Sequence, residues 1–210
     1  MILLEANPVN FKSKGKDVLT FPLTKIINPH LVSIGDSVII DDFVFMMVKA
    51  TIGSFVHIAG MTSIVGNGEF VMGDFCSTSW GCRVFTGNED WHGNAINNPT
   101  VDEPYRKPMR SYVRFEKHAT LGANSVVLPG VTLREGALVG ANSLVKKDCD
   151  PYSFYVGNPV RKVGEYSKDK LVEIEKLLRK DYYDSKGQYI EKALRGVPKP
   201  GGQTSILGVG

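Results

Sequence analysis

The chain has 210 residues, enough for one domain with a hydrophobic core, or for one domain with an appendage. Its apolar and charged fractions, 42% and 22%, are ordinary for a globular protein, and a formal net charge of +3 without a run of Lys and Arg argues against nucleic-acid binding. No apolar stretch approaches the ~18 residues of a membrane-spanning helix, so we expect no membrane span.

The N-terminal residues show no repeat. They begin MILLEANPVNFKSKGK, without a basic start or a cleavage site, and are therefore not predicted to be a signal peptide. We expect residues 1–33 to form a lead-in strand or a cap. The three cysteines, Cys76, Cys82 and Cys149, lack the spacing of a disulfide framework, which is typical of a protein of the reducing cytoplasm.

A six-residue repeat begins at Ile34. The chain reads IGDSVI, IDDFVF, MMVKAT, IGSFVH, IAGMTS and IVGNGE, then slips by two residues and resumes at Met72. After an interruption the repeat returns as FEKHAT, LGANSV, VLPGVT, LREGAL and VGANSL. The leading positions are Ile34, Ile40, Met46, Ile52, Ile58 and Ile64 in the first block, and Phe115, Leu121, Val127, Leu133, Val139 and Val145 in the second.

A period of six matches neither a helix nor a simple hairpin meander. It suits an all-β solenoid in which each unit is a short strand plus a tight corner, three units close one triangular coil, and the leading residues stack inward. Gly and Asn tolerate the unusual backbone angles expected at such corners. They stand there as Gly35, Gly53, Gly122, Gly136, Gly140, Asn124 and Asn142. A β-sandwich with chance alternation fits less well, because so many units keep nearly constant register.

One long stretch, TGNEDWHGNAINNPTVDEPYRKP, interrupts the repeat. Long loops inside compact scaffolds are often functional, so we expect an extruded functional loop at residues 86–113.

A helix is predicted after the repeat, in the segment 164–195. The stretch SKDKLVEIEKLLRKDYYD begins with Ser167 as a candidate N-cap. Its apolar residues share one helical face: Leu171, Ile174, Leu177 and Leu178. Residues 196–210 are rich in Gly and Pro and are expected to form a loosely held tail.

The segment LGANSVVLPGVTLREGALVGANSLVKKDCDPYSFYVGNPVRKV resembles the signature of the hexapeptide-repeat acyltransferases, which fold as left-handed parallel β-helices. LPGVT, VGANSLV and a closing GNP with a basic residue occur in that order, and the resemblance covers residues 34–163. It implies a homotrimer with active sites between subunits, acetyl-CoA as co-substrate, and a hydroxyl or amine acceptor. It also implies a C-terminal helix packed on the end of the solenoid.

Acyl transfer from a thioester needs a base for the acceptor proton, a donor for the oxyanion and a track for the donor molecule. Four histidines could supply the base: His30, His57, His92 and His118. We interpret His30 and His118 as surface residues. His57 resembles a histidine near the acetyl group in some sugar N-acetyltransferases of the family.

His92 is the preferred base because it lies in the extruded loop, where the resemblance implies a catalytic histidine. Asp90 is expected to orient its imidazole and to stabilise the charged form. The histidine comes a few residues later than in the best-known members, so Glu89 or Asp90 remains an alternative base, and an exposed loop histidine without a role remains another interpretation.

The resemblance also implies the donor site. Ala123 in LGANS and Ala141 in VGANS match the pantetheine-contact positions, where small side chains let the ligand approach the backbone. Lys146, Lys147 and Arg161 are matched to the nucleotide phosphates of CoA.

The predicted function is transfer of an acetyl group from acetyl-CoA to a sugar hydroxyl, in a precursor of surface polysaccharide. N-acetylation of a nucleotide-linked amino sugar is the alternative, followed by an antibiotic hydroxyl. A zinc carbonic anhydrase of this fold needs converging histidines, two of them close in sequence, and this chain has no such pair, so no metal is expected. A non-catalytic trimeric scaffold is a further alternative, although it has no need of the basic residues around GNP.

Overall fold

The computed structural model describes residues 9–191. The chain is divided into two compact units, of which the first ends at Lys168 and the second begins at Asp169.

The first unit is a parallel β-solenoid of six coils and the start of a seventh, with three strands in each full coil. The first three coils contain β1 (Ser13–Lys14), β2 (Val18–Thr20), β3 (Lys25–Ile26), β4 (Val32–Ile34), β5 (Val38–Ile40), β6 (Phe45–Met46), β7 (Lys49–Ile52), β8 (His57–Ile58) and β9 (Ser63–Val65). The fourth coil contains β10 (Glu69–Met72), β11 (Ser77–Thr78) and β12 (Arg83–Phe85), and is followed by a hairpin of β13 (Gly87–Asn88) and β14 (Met109–Arg110). The last coils contain β15 (Tyr112–Phe115), β16 (Thr120–Leu121), β17 (Val126–Val127), β18 (Thr132–Leu133), β19 (Leu138–Val139), β20 (Leu144–Val145), β21 (Ser153–Val156) and β22 (Arg161–Glu165).

Each side of the solenoid is one parallel sheet, because a strand pairs with its counterpart in the next coil. The first side is β1-β4-β7-β10-β15-β18, and the second is β2-β5-β8-β11-β16-β19-β21, with β22 added antiparallel at its edge. The third side contains β3-β6-β9-β12-β17-β20. The predicted solenoid is therefore confirmed, including its three-sided coil.

The leading residues of the repeat form the core. All twelve predicted positions are at most 4% exposed, and they stack on one another from coil to coil. Ile34 pairs with Ile52, and Leu121 pairs with Val139, as the ladder prediction requires. The small or branched residues four positions later are buried as well: Val38, Thr62, Ser125, Val131 and Ser143.

The slip in the repeat is an enlarged corner. Ile52 pairs with Met72 across a coil that is two residues longer than the preceding one, in which Ile34 pairs with Ile52. The longer corner contains Gly66 and Asn67, both with positive φ, at 121° and 57°. The strands on either side keep their inward faces because the extra residues are absorbed between them.

The solenoid begins before Ile34, within the segment that the sequence left open as a lead-in strand or cap. Lys14, Thr20 and Ile26 pair with Ile34, Ile40 and Met46, so β1–β3 form a complete first coil. The sequence pattern did not reveal this coil because only Ile26 is apolar at its leading positions.

Two different structural constraints explain why glycine stands at the corners. The expected unusual backbone angle is confirmed at Gly136, Asn124 and Asn142, with φ of 69°, 58° and 55°, and it is wrong for Gly35, Gly53, Gly122 and Gly140. Gly53 stands instead where the next coil approaches closely, since a Cβ there would lie 2.7 Å from the main-chain nitrogen of Asp74. Residues other than glycine occupy many of the corners with positive φ. Among them, the ring of Phe75 stacks on those of Phe55 and His118, with a centroid distance of 4.9 Å in each pair.

The second unit contains the predicted helix, α1 (Asp169–Tyr182). It begins two residues after Ser167, with Asp169 in its first turn and Arg179 and Lys180 in its last turn, as the helix dipole favours. Glu175 and Arg179 form an ion pair of 2.7 Å one turn apart. The predicted tail, 196–210, lies outside the described residues. Within residues 9–191, no helix combines the length and the apolar character that crossing a membrane requires.

Candidate functional site

The extruded loop leaves the solenoid after β12 and returns at β15. Its neck is the antiparallel pair of β13 and β14, in which Gly87 is opposite Arg110 and Asn88 is opposite Met109. Thr86 closes the base, because its carbonyl accepts the main-chain N–H of Ser111 at 2.7 Å and its hydroxyl accepts that of Gly68 at 3.0 Å. The loop backbone is therefore held at both ends.

Asp90 organises the turn that carries His92. The residue is 7% exposed, and its carboxylate accepts the main-chain N–H of His92 at 3.0 Å and that of Asn94 at 2.6 Å. The hydrogen bond from His92, followed by that from Asn94 against a cost of desolvation, lowers the pKa of Asp90. A carboxylate with a lowered pKa is a weak base, so this geometry favours a positioning role for Asp90 over that of the base.

The predicted contact between Asp90 and the His92 imidazole takes a different form. The hydrogen bond runs to the main chain of His92 because Asp90 is only two residues away, a spacing at which an Asp side chain readily accepts a backbone N–H. The His92 side chain is exposed. Two aromatic residues of the same loop are also highly exposed, Trp91 at 73% and Tyr105 at 67%.

Glu89 forms an ion pair with Arg106 across the loop. Oε1 of Glu89 lies 2.7 Å from the guanidinium, and both side chains are largely covered, at 18% and 21% exposure. The second carboxylate oxygen, Oε2, is buried and has no hydrogen-bond partner among the described residues. Of the two carboxylate oxygens of Glu89, the alternative base, one is thus paired with a cation and the other is buried.

A cavity of about 460 Å³ lies at the loop neck. Its polar lining combines Asn67 of the enlarged corner with Asn88, Glu89, Arg106 and Arg110 of the two limbs of the loop. Its apolar lining includes Met47, Val65, Phe85, Pro99, Pro108 and Met109. Sequence reasoning missed this cavity because its residues come from three successive coils and both limbs of the loop. The only available signal was the basic PYRKP stretch that ends the loop.

His57 belongs to a second arrangement, on the outer face of the solenoid. Its Nε2 lies 3.0 Å from Oδ2 of Asp41, which follows β5, the neighbouring strand. Ser77 is its neighbour in register on the other side. This acid–histidine pair could relay a proton, because the carboxylate would fix the tautomer of the ring. Asp41 was not predicted, since the corner brings it to His57 from 16 residues away.

The other two histidines have simpler surroundings. His30 is exposed on a single 3-10 turn, Pro29–Leu31, which agrees with its interpretation as a surface residue. His118 is half-buried at a corner with a φ of 63°, and its ring stacks on Phe75.

The candidate donor residues lie on the last coils. Ala123 and Ala141 occupy successive coils at one corner, where the carbonyl of Ala123 accepts the N–H of Asn142 at 2.8 Å. Arg161 is opposite Val156 in the hairpin of β21 and β22. The tight turn of this hairpin is fastened to the coil, because the hydroxyl of Ser143 accepts the N–H of Gly157 at 3.1 Å.

Lys146 and Lys147 are exposed and directly follow β20. Ala141 precedes β20, so the two lysines and Ala141 lie at opposite ends of this strand. The predicted site residues therefore fall in three places in one chain: the loop, the outer face at His57, and the last coils. Among residues 9–191, no group of three or more His, Cys, Asp and Glu side chains is placed to hold a metal ion.

Known proteins are similar to this chain in sequence and in fold. Residues 112–147 match a family described as the hexapeptide repeat of succinyl-transferase. The chain is 35% identical over 179 residues to the dTDP-4-amino-4,6-dideoxy-D-glucose acyltransferase of Escherichia coli, covering 84% of this chain and 93% of that protein.

Solved structures give the same result. AntD, an N-acyltransferase from Bacillus cereus in complex with dTDP and 3-hydroxybutyryl-CoA, superposes with a TM-score of 0.77 at 40% identity, over 81% of this chain and 90% of AntD. A variant of AntD in complex with dTDP-4-amino-4,6-dideoxyglucose and coenzyme A has a TM-score of 0.78 at 39% identity, over 82% and 92% of the two chains.

Proposed function

This chain belongs to the hexapeptide-repeat acyltransferases, and we propose that it transfers an acyl group from acyl-CoA to the 4-amino group of a dTDP-linked 4-amino-4,6-dideoxy sugar. It is an acyltransferase with an acyl-CoA as co-substrate. The observation that carries the proposed acceptor is the extent of the similarity, which covers 93% of a dTDP-amino-sugar acyltransferase at 35% identity.

The relatives favour the second of the two predicted acceptors. The sequence placed a sugar hydroxyl first and a nucleotide-linked amino sugar second, whereas the near full-length relatives act on or bind the amino sugar. A chloramphenicol acetyltransferase of Klebsiella aerogenes is only 26% identical and is matched over 64% of its length, which gives less support to a drug hydroxyl.

In the proposed reaction, the amine of the acceptor attacks the thioester of acyl-CoA directly. The lone pair of the amine forms a bond to the thioester carbonyl carbon, and the tetrahedral intermediate then breaks its C–S bond to release the CoA thiolate. The nitrogen loses a proton to a base, and the thiolate is protonated to free CoA. His92 is the proposed base, because a neutral imidazole near pH 7 can accept that proton. Asp90 holds the turn in which His92 stands.

Acyl-CoA is proposed to lie along the last coils. Ala123 and Ala141 leave the backbone of successive coils approachable for pantetheine, while Lys146, Lys147 and Arg161 offer exposed cations for phosphates. Acetyl is the proposed acyl group, and the 3-hydroxybutyryl-CoA bound to AntD makes that larger acyl group the first alternative to test.

A homotrimer with sites between subunits is part of the proposal. A row of exposed apolar side chains follows β2, β5, β8 and β11 at one corner of the solenoid, and consists of Leu23, Phe43, Met61 and Trp80. Such a row is typical of a surface covered by another subunit. The exposed Trp91 and Tyr105 of the loop give the same support. The three buried, unpaired cysteines are consistent with a cytoplasmic protein.

An acceptor panel tests the function. Purified protein and acetyl-CoA or 3-hydroxybutyryl-CoA are incubated with dTDP-4-amino-4,6-dideoxyglucose, with the dTDP sugar that has a hydroxyl at the same carbon, and with chloramphenicol, and released CoA thiol is measured. We expect turnover only with the amino sugar, and an N-acyl product by mass spectrometry. Comparable turnover of the hydroxyl sugar, or turnover of chloramphenicol alone, would refute the proposed acceptor.

A further inference from the structure

The C-terminal limb of the extruded loop carries a second depression, which adjoins the cavity at the neck. It has a volume of about 510 Å³ and is lined by Glu103, Pro104, Arg106, Lys107, Pro108 and Arg110. Three of these side chains are cationic and one is acidic. We call the surface of Arg106, Lys107 and Arg110 the basic face of the loop.

The charges of the basic face are not equally compensated. Arg106 is neutralised by Glu89 at 2.7 Å. Lys107 and Arg110 are exposed, and among residues 9–191 neither has an acidic partner. Other long cationic side chains of the chain do form ion pairs, as Lys49 does with Glu69 and Arg134 with Asp148. Two adjacent uncompensated cations therefore remain available to an anion.

Strand pairing fixes the backbone that carries Arg110. Arg110 belongs to β14, which is paired with β13 at the neck, and Pro108 restricts the chain just before it. The ion pair between Glu89 and Arg106 links the two limbs at the same level. A guanidinium presented from a fixed strand loses less freedom on binding than one on a free loop, which favours recognition of a planar or bidentate oxyanion.

The two depressions meet at shared residues. Arg106, Pro108 and Arg110 line both the open depression and the cavity at the neck. The neck cavity adds apolar walls such as Phe85 and Met109, and the amide side chains of Asn67 and Asn88. A ligand could place an anionic group on the basic face and an attached ring in the neck cavity.

We propose that Lys107 and Arg110 bind the diphosphate of the acceptor, with the adjoining neck cavity receiving the group attached to it. This inference rests on the proposed function, which supplies a ligand whose diphosphate joins a nucleoside to a sugar. Charge-assisted hydrogen bonds from an arginine and a lysine are the strong contacts that a diphosphate forms in proteins. CoA also contains a diphosphate, so the experiment includes CoA as a separate ligand.

The test measures binding of dTDP and of CoA separately by calorimetry, for the wild type, Arg110→Gln, Lys107→Gln and the double variant. Lys14→Gln, which removes an exposed cation from β1, is the matched control. We expect each loop substitution to raise the Kd for dTDP about tenfold or more, and the double variant to raise it further. The Kd for CoA, the melting temperature and all properties of the control should stay at wild-type values.

The outcomes separate the two proposals. If the wild type binds dTDP and the loop variants bind it equally well, the diphosphate assignment is wrong and the proposed function stands. If the substitutions weaken CoA binding and leave dTDP unaffected, the basic face belongs to the donor and the assignment is equally wrong. If the wild type itself does not bind dTDP and does not acylate the dTDP amino sugar, the proposed function fails and the assignment fails with it.

Discussion

The carboxylate of Asp90 accepts the main-chain N–H of His92 at 3.0 Å, and its second oxygen accepts that of Asn94 at 2.6 Å. The acidic residue next to the candidate base therefore fixes the backbone turn and leaves the imidazole free to meet a substrate. We therefore predict different roles for Asp90 and His92, which mutation can separate.

His92→Ala should lower kcat by at least ~10²-fold, because the amine would lose the group that accepts its proton. The KM for acyl-CoA should stay close to the wild-type value, since the proposed donor site lies on the last coils. Steady-state kinetics with saturating amino sugar measures both constants. His57→Ala is the comparison: a large loss there together with near-normal activity of His92→Ala would transfer the role of base to the pair of His57 and Asp41.

Asp90→Ala should reduce kcat more than Asp90→Asn, because the amide oxygen of asparagine can still accept one of the two N–H groups.

The pKa of Asp90 is lowered below its usual value of 3.8, so the contribution of its charge to stability is present above that value and is lost as the pH falls through the lowered pKa. Urea unfolding of the wild type and Asp90→Asn should thus differ equally at pH 6 and pH 8, and the difference should shrink in strong acid. A difference that vanishes between pH 6 and pH 8 would contradict this assignment.

Lys146→Gln, Lys147→Gln and Arg161→Gln should each raise the KM for acetyl-CoA several-fold to about tenfold, through loss of a charged contact to phosphate. The kcat and the KM for the amino sugar should be unchanged. Acetyl-pantetheine, which lacks the nucleotide, provides the decisive control, because the substitutions should not affect its use. An equal effect on both donors would show that these residues do not contact phosphate.

The three cysteine thiols should be unreactive in the native protein. Burial raises the pKa of Cys76 and Cys149 to about 12, and it also raises that of Cys82. A buried protonated thiol is a poor nucleophile, so Ellman's reagent should titrate almost no thiol before unfolding and three per chain in denaturant. Rapid reaction of one thiol in the folded protein would contradict the burial of that residue.

Leu121→Ala should destabilise the protein by about 2–5 kcal/mol, because it opens a cavity in a ladder that is fully buried. Leu19→Ala is the matched control, since Leu19 faces outward on β2 in the same sheet and is partly exposed. We expect less than ~1 kcal/mol for the control. Denaturant unfolding of both variants measures the contrast, and equal losses would mean that the inward face had been assigned wrongly.

The repeat predicted the core well because a solenoid converts sequence position directly into direction. Each leading residue meets its counterpart in the next coil, so the pairing of Ile40 with Ile58 follows from their places in the repeat. The first coil escaped prediction for the same reason, since Lys14 and Thr20 occupy leading positions without being aliphatic. The prediction failed where a residue other than an aliphatic one took part in the ladder.

The sequence by itself determined the three-sided coil, the extruded loop and the helix, because local period, turn residues and amphipathic spacing act over a few neighbouring residues. Only the tertiary structure decided which polar groups meet. Asp41 reaches His57 across a corner, Glu89 reaches Arg106 across the loop, and the neck cavity combines Asn67 with Arg110. These contacts depend on how corners and loop limbs fold back over one another in space, which no local pattern encodes.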